Sequence, residues 1–257
     1  MIISIQDLSK RYGEGGEAVK AISDIDLDVS ENEFVSIVGP SGCGKTTLLH
    51  TVAGLLEPTT GRIEIGNLDV QAPDFEKSLL GIVFQQPVLL EWRTVQKNIM
   101  LPIQIMHSNG DLDEDIEYYR NRARELIELV GLEGFEDAYP QELSGGMQQR
   151  VSICQSLVYD PEILLMDEPF GSLDALTKDQ LNEELLKIWR ETNKTILFIT
   201  HDLDEAVFLS DRVLVMSSRP GTVLEDMHIE LPRPRTNEVR ESEAFLEAIT
   251  HLNTHFR

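Results

Sequence analysis

The stretch FVSIVGPSGCGKTTLLHTVAGLL, residues 34–56, decides the fold. Phe34 to Val38 is a short and almost continuously apolar run, the pattern of a parallel strand covered on both faces. Thr47 to Leu56 carries the apolar spacing of a helix. Between them GPSGCGKTT, residues 39–47, matches G-x-x-x-x-G-K-[ST] in the strand-to-helix context that gives the match its meaning. Gly39, Gly42 and Gly44 let the backbone curl so that successive N–H groups face a phosphate, and the helix N-terminus adds its partial positive charge. Lys45 is then placed to reach β- and γ-phosphate oxygens, and Thr46 to offer a hydroxyl to Mg²⁺. Pro40, Ser41 and Cys43 fill the variable positions of the loop, Cys43 reading as a tolerated small residue.

Outward from this loop, further buried-strand runs occur at 163–166, 195–200 and 213–216, with helical patterns between them. Met147, Val151, Cys154 and Val158 recur at spacings of four and three, and Leu181, Leu185, Ile188 and Trp189 form a second helical stripe. Buried strands alternating with helices predict an α/β domain. Residues 2–8, 22–29 and 62–65 instead alternate apolar with polar side chains, as antiparallel strands with one exposed face do. From 86 to 156 the strand signal disappears. SNGDLDED opens an acidic helical run through Ile116, Ala123, Leu126, Ile127 and Val130 that ends at Gly131. LPRPRTNE at 231–238 is a Pro-rich exit to a short tail. The expected organisation is one domain over residues 1–235, with the core and an antiparallel β subdomain in 1–85 and 157–235, an inserted helical subdomain in 86–156, and a tail at 236–257.

The chain has 257 residues, 45 acidic against 22 basic, and a formal net charge of −23. Such a balance argues against a broad electrostatic grip on nucleic acid or anionic lipid. Apolar runs fall short of the roughly 18 residues a membrane span needs, and the N-terminus lacks the pattern of a secretory signal, so a cytosolic chain is expected. The two cysteines, Cys43 and Cys154, have neither a partner at zinc-site spacing nor a disulfide framework. Only 8 of the 22 basic residues are lysine, which raises adaptation to a salty interior beside the plainer reading of an acidic solvated surface.

ILLMDEP, residues 163–169, is an apolar strand ending in two carboxylates. Asp167 at the strand end suits Mg²⁺, usually through water, and Glu168 stands one residue further out, toward a γ-phosphate. Adjacent acids after a strand are a weak signal alone and a strong one beside the phosphate loop.

LSGGMQQR, residues 143–150, resembles the signature motif of ABC-type ATPases, and Ser144 precedes Asp167 by 23 residues. Other elements agree in order. Tyr12 resembles the aromatic that stacks on adenine, Gln85 the Q-loop glutamine, SLDA at 172–175 the D-loop, and His201 the switch histidine. Taken singly, Tyr12 reads as a loop aromatic, Gln85 as a strand end and His201 as a structural histidine; their joint spacing reverses this. The resemblance spans about residues 2–235. It implies a P-loop NTPase (RecA-like) core with an antiparallel β subdomain and an inserted helical signature subdomain. ATP and Mg²⁺ are the implied cofactors. The implied catalytic residues are Glu168, His201 and Gln85, and the metal-facing ones Thr46, Gln85 and Asp167. Nucleotide contacts fall on Tyr12, the loop from Gly39 through Thr47, Ser144, Gly145, Gly146, Gln148 and Asp174.

In this family the signature of one subunit closes on the ATP held by the phosphate loop of another. One copy of each motif therefore implies two chains, most economically a homodimer, with a heterodimer of related ATPases as the alternative. QQPVLLEWRTVQKNIMLP, residues 85–102, fits the region that receives a transmembrane permease, with Trp92 as an interface anchor or a core residue of the helical part. LLEWRTV at 89–95, MSSRPG at 216–221 and LPRPR at 231–235 resemble the nitrate, sulfonate and taurine importer branch. Glu91 stands where that branch commonly has proline, and SICQSL at 152–157 departs from its frequent AIARAL. The resemblance implies uptake of a small solute such as an anion, a solute-binding protein acting through the permease, no nucleic-acid partner, and a location at the cytoplasmic face of the membrane. Rival readings are a soluble ABC ATPase, which usually has tandem halves or a long coiled coil, and a P-loop kinase or GTPase, against which the signature motif weighs.

Overall fold

The computed structural model describes residues 2–13, 18–110, 112 and 115–256; Asp111, Asp113 and Glu114, in the acidic opening of the expected helical insertion, lie outside them. Strands β1 (Ile3–Tyr12), β2 (Val19–Val29), β3 (Phe34–Val38), β4 (Thr60–Ile65), β5 (Leu68–Asp69), β6 (Leu80–Val83), β7 (Ile163–Asp167), β8 (Thr195–Ile199), β9 (Arg212–Met216) and β10 (Val223–His228) are joined by helices α1 (Lys45–Val52), α2 (Val95–Ile99), α3 (Leu101–Asn109), α4 (Ile116–Leu129), α5 (Gly145–Leu157), α6 (Ala175–Thr192), α7 (Leu203–Leu209) and α8 (Glu243–Leu252). The chain divides into two units, Met1–Lys77 with Leu165–Glu168 and Asn193–Arg257, and Ser78–Leu164 with Pro169–Thr192.

In the first unit β1 pairs antiparallel with both β2 and β4, giving the order β2-β1-β4-β5. The alternation read from the sequence is there. Ile25, Leu27 and Val29 of β2 are buried while Asp24, Asp26 and Asp28 face solvent. A second sheet runs β10-β9-β3-β8, with the end of β7 beside β8. β3 is parallel to β8 and β9, and all five of its residues are buried, as a strand covered on both faces must be. Phe34 and Phe198 meet across β3 and β8 with ring centroids 5.8 Å apart. Helix α1 buries Leu48, Leu49 and Val52 completely, each worth about 1.5–3 kcal/mol over exposure.

The second unit is mostly helical. α4 starts on Asp115, whose side chain accepts from the Glu117 N–H, and buries Tyr119, Ala123, Leu126 and Ile127 on one stripe. It closes at Gly131, the residue at which the pattern was expected to end, with φ of 65° and an N–H given to Glu128 O at 3.0 Å. Val151 and Cys154 of α5 and Leu181, Leu185 and Ile188 of α6 are buried as their spacing predicts.

Beyond the Pro-rich exit the sequence carries no expectation of order, yet Glu243–Leu252 is a helix. Ser242 caps it by accepting from the Phe245 N–H at 3.3 Å, and Phe245, Ala248 and Leu252 are buried. No helix among the described residues is long and apolar enough to cross a membrane.

Candidate functional site

The site in the first unit is built where strands end. β3 stops at Val38, the loop 39–44 turns, and α1 begins at Lys45 on Gly44, whose φ of 116° is open only to glycine. A Cβ on Gly44 would also stand 2.6 Å from Ile22 Cγ2 and 2.8 Å from Ala21 O. No side chain caps α1, so its first N–H groups point into the loop without a protein acceptor from the cap. Lys45 is 5 % exposed and donates to Gly39 O at 2.8 Å and Pro40 O at 3.2 Å. An ammonium resting on two loop carbonyls, beside the bare end of a helix, is a cradle for phosphate oxygens.

Asp167 and Glu168 follow at the end of β7. Asp167 is 8 % exposed and accepts from the Thr46 hydroxyl at 3.2 Å. Burial pushes its carboxyl pKa up, opposed by the Thr46 hydrogen bond and by His50 and Lys45, while the Glu168 charge adds to the rise. Glu168 has φ of 42°, an uncommon backbone state for a non-glycine residue, and its N–H donates to Ile199 O at 3.0 Å. Its Oε2 lies 2.9 Å from Nδ1 of His201, which follows β8. Tyr12, at the end of β1, is 42 % exposed; its hydroxyl lies 3.3 Å from Thr47 Oγ1, and Lys10 Nζ sits 5.5 Å from the ring centroid.

The fold thus collects Tyr12, the whole loop Gly39–Thr47, Asp167, Glu168 and His201 in one unit. The remaining expected residues belong to the other. Gln85 follows β6 with its side chain exposed. Ser144 caps α5 by accepting from the Met147 N–H at 3.3 Å, Gly145 and Gly146 form the first turn, and Gln148 Nε2 donates to Pro140 O at 2.9 Å. Gly146 is there for closeness: a Cβ would stand 2.8 Å from Thr177 Cγ2. Asp174 is exposed and holds the start of α6 through the Thr177 N–H at 3.1 Å and hydroxyl at 2.7 Å, bonds that lower its pKa.

Thr46 and Asp167 fit Mg²⁺. Both offer hard oxygen donors, and a carboxylate whose burial costs it stability is one that a cation would relieve.

Two residues escaped assignment from the sequence. Arg219 donates from Nε and Nη2 to Gly42 O at 3.2 and 3.1 Å, and a Cβ on Gly221 would stand 2.3 Å from Cys43 O. The turn after β9 is therefore packed against the backbone of the phosphate loop, which gives MSSRPG a physical role. Arg235 is buried and donates from Nη1 to the carbonyls of Val207, Phe208 and Ser210 at 3.1, 3.0 and 2.7 Å, and from Nη2 to Leu231 at 3.3 Å. It closes the C-terminal end of α7, the helix that starts two residues after His201. Both arginines sit in segments singled out for resemblance alone, without a partner that spacing could supply.

The model of the ABC transporter family matches residues 22–171. An uncharacterized ABC transporter ATP-binding protein of Methanocaldococcus jannaschii is 49% identical over 95% of this chain and 87% of its own length. The aliphatic sulfonates import ATP-binding protein SsuB of Bacillus cereus is 40% identical over 96% of this chain and 92% of its own. Among solved structures, a dimeric ATP-binding cassette in a post-hydrolysis state with ADP and Pi superposes with a TM-score of 0.76 at 32% identity, over 90% of this chain and 100% of that one.

Proposed function

From the premise that this chain belongs to the ABC transporter family and is an ATPase with the P-loop fold, we propose that it is the ATP-hydrolysing subunit of an importer for a small organic anion, an aliphatic sulfonate first among the candidates. The observation that carries the solute class is the 40% identity to SsuB along nearly the whole of both chains. Two copies assemble, each giving its phosphate loop to one nucleotide and its Ser144–Gly146 turn to the other. The dimeric relative supports this arrangement. Trp92, 74 % exposed, and Val88 at 60 % give the second unit an apolar surface suited to a transmembrane permease. Docked there, the chain sits peripherally at the cytoplasmic face of the membrane, and a solute-binding protein acts on it indirectly.

In the proposed reaction, Lys45 and the N–H groups at the start of α1 hold the β- and γ-phosphates, and Tyr12 stacks on the adenine. Thr46 and Asp167 would hold Mg²⁺, which when bound would neutralise phosphate charge. Glu168 takes the proton of the attacking water as the bond between the γ-phosphorus and the bridging oxygen of ADP breaks. The 2.9 Å contact between His201 Nδ1 and Glu168 Oε2 keeps the two side chains oriented toward each other beside the attacking water. Gln85, Gln148 and Asp174 enter the proposal on the family resemblance.

The test is growth on an alkanesulfonate as sole sulfur source. Deletion of the gene should abolish it while sparing growth on sulfate, and the wild-type gene but not Lys45→Ala should restore it. Undiminished growth of the deletion strain would remove the sulfonate assignment, and restoration by Lys45→Ala the coupling to ATP.

A further inference from the structure

Far along the chain from the phosphate loop, three ligand-bearing side chains converge without a part in ATP hydrolysis. Glu225 lies on β10; His251 lies in the last turn of α8, and His255 in the 3₁₀ turn Asn253–Phe256 that continues it. The two histidines are four residues apart, which on a helix puts both on one face. His251 Nε2 is 2.8 Å from Glu225 Oε1 and 3.1 Å from Oε2, and His255 Nε2 is 2.5 Å from Oε2. The imidazole rings stand edge to face with centroids 6.0 Å apart. One ligand atom from each residue lies within 4.8 Å of both others.

We propose that Glu225, His251 and His255 bind a borderline divalent cation of the Zn²⁺ class. The donor set selects the ion. Two imidazole nitrogens disfavour Mg²⁺ and Ca²⁺, which take oxygen, and the absence of a thiolate from the cluster disfavours Cu(I). As a bare hydrogen-bonded cluster on a half-exposed surface, the three groups would contribute little. With a proton on Nδ1 an imidazole offers its Nε2 lone pair to a cation, so the two Nε2 atoms that face Glu225 supply two donors and the carboxylate the third. Tetrahedral Zn–N and Zn–O bonds of about 2.0–2.2 Å set ligand atoms about 3.3–3.6 Å apart, so His251 Nε2, 3.1 Å from Glu225 Oε2, is almost in place, and His255 Nε2, at 2.5 Å, moves out by about 1 Å, a side-chain adjustment in the terminal 3₁₀ turn. His251 is the most exposed of the three, leaving room for water as a fourth ligand.

The location gives the ion something to hold. Ile249, Asn253 and Phe256, on the same terminal segment, line a cleft of about 510 Å³ together with Gly39, Ser41 and His201. A cation bound to both histidines and to β10 ties that wall of the cleft to the sheet. The site stands independently of the proposed solute and permease.

The experiment is calorimetric titration of chelator-treated, nucleotide-free full-length protein with Zn²⁺. The expected result is saturation at one Zn²⁺ per chain, with affinity lowered about 10–100-fold or more in His251→Ala, His255→Ala and Glu225→Gln. His107→Ala should bind as the parent does. Glu225→Gln keeps the size and a hydrogen-bond acceptor, so its thermal unfolding serves as the check that the segment remains folded. Parental affinity in the His251→Ala/His255→Ala double variant, failure of the parent to saturate, or displacement of Zn²⁺ by an equal concentration of Mg²⁺ would each overturn the proposal.

Discussion

Glu168 and His201, 33 residues apart in the chain, meet at 2.9 Å because β7 and β8, which end beside them, are neighbours in the sheet. The Glu168 N–H is tied to Ile199 O at 3.0 Å, so the backbone of one loop is fastened to the strand that presents the other. Glu168→Gln preserves size and hydrogen-bonding reach while removing basicity. It should bind ATP, hydrolyse it about 10²–10⁴-fold more slowly, and accumulate as an ATP-bound dimer on size-exclusion chromatography. Hydrolysis at the parental rate would remove Glu168 from the chemistry.

Asp167 is expected to pay in stability for its placement. Its pKa is raised in the folded state, so the ionised form weakens the fold at neutral pH, and this penalty fades as pH falls through the raised pKa, vanishing below the unfolded value of about 3.9. Asp167→Asn should therefore lose hydrolysis yet melt higher than the parent at pH 7 without nucleotide, by about 2–4 °C for each kcal/mol relieved. The gap should close toward acid pH. Calorimetric melting at neutral and acid pH reads both signs, and a variant less stable at pH 7 would contradict them.

Lys45→Ala should abolish tight ATP binding in a fluorescent-nucleotide titration if its buried ammonium, which rests on Gly39 O, meets the phosphate oxygens as proposed. Lys45→Arg should fail too, its planar head being too large for the space between Gly39 O and Pro40 O. Tyr12→Ala should weaken binding by about 1–3 kcal/mol, the worth of a base–aromatic stack, whereas Tyr12→Phe loses only the Thr47 contact.

Arg235→Ala leaves the last carbonyls of α7 without their donor, at a cost of about 1–3 kcal/mol read as a lower melting temperature. Arg235→Lys should not rescue it, because a point ammonium lacks the fork that spans four carbonyls. An unchanged melting temperature in either variant would refute the capping role.

Trp92→Ala should leave the ATPase rate of the isolated chain unchanged and reduce sulfonate uptake by cells. Uptake at the parental level would direct the search for the permease surface elsewhere.

Much of this site could be read in the sequence because phosphate chemistry imposes local order. A phosphate cradle of the kind proposed for Gly39 to Thr47 would act through consecutive backbone groups, and Asp167 and Glu168 follow a strand whose five buried residues announce it. Where function depends on contacts distant along the chain, the text was silent. Nothing near Arg219 names Gly42 as its acceptor, nothing in LPRPR names the end of α7, and 26 residues separate Glu225 from His251. Helix α8 was missed for a related reason: its apolar stripe of Phe245, Ala248 and Leu252 is brief and follows a Pro-rich segment that reads as an exit.

Cys43 sits inside the phosphate loop at 1 % exposure, with the Gly221 turn against its carbonyl. A thiol reagent in solution meets this sulfur only when the loop opens, so the rate of alkylation becomes a clock for that opening. Cys154 is equally buried, and desolvation raises its thiol pKa, which keeps it slow and leaves the early signal to Cys43. Labelling followed by mass spectrometry would time the breathing of the loop with no probe added to the protein, and nucleotide should slow the clock in proportion to how firmly it holds the loop shut.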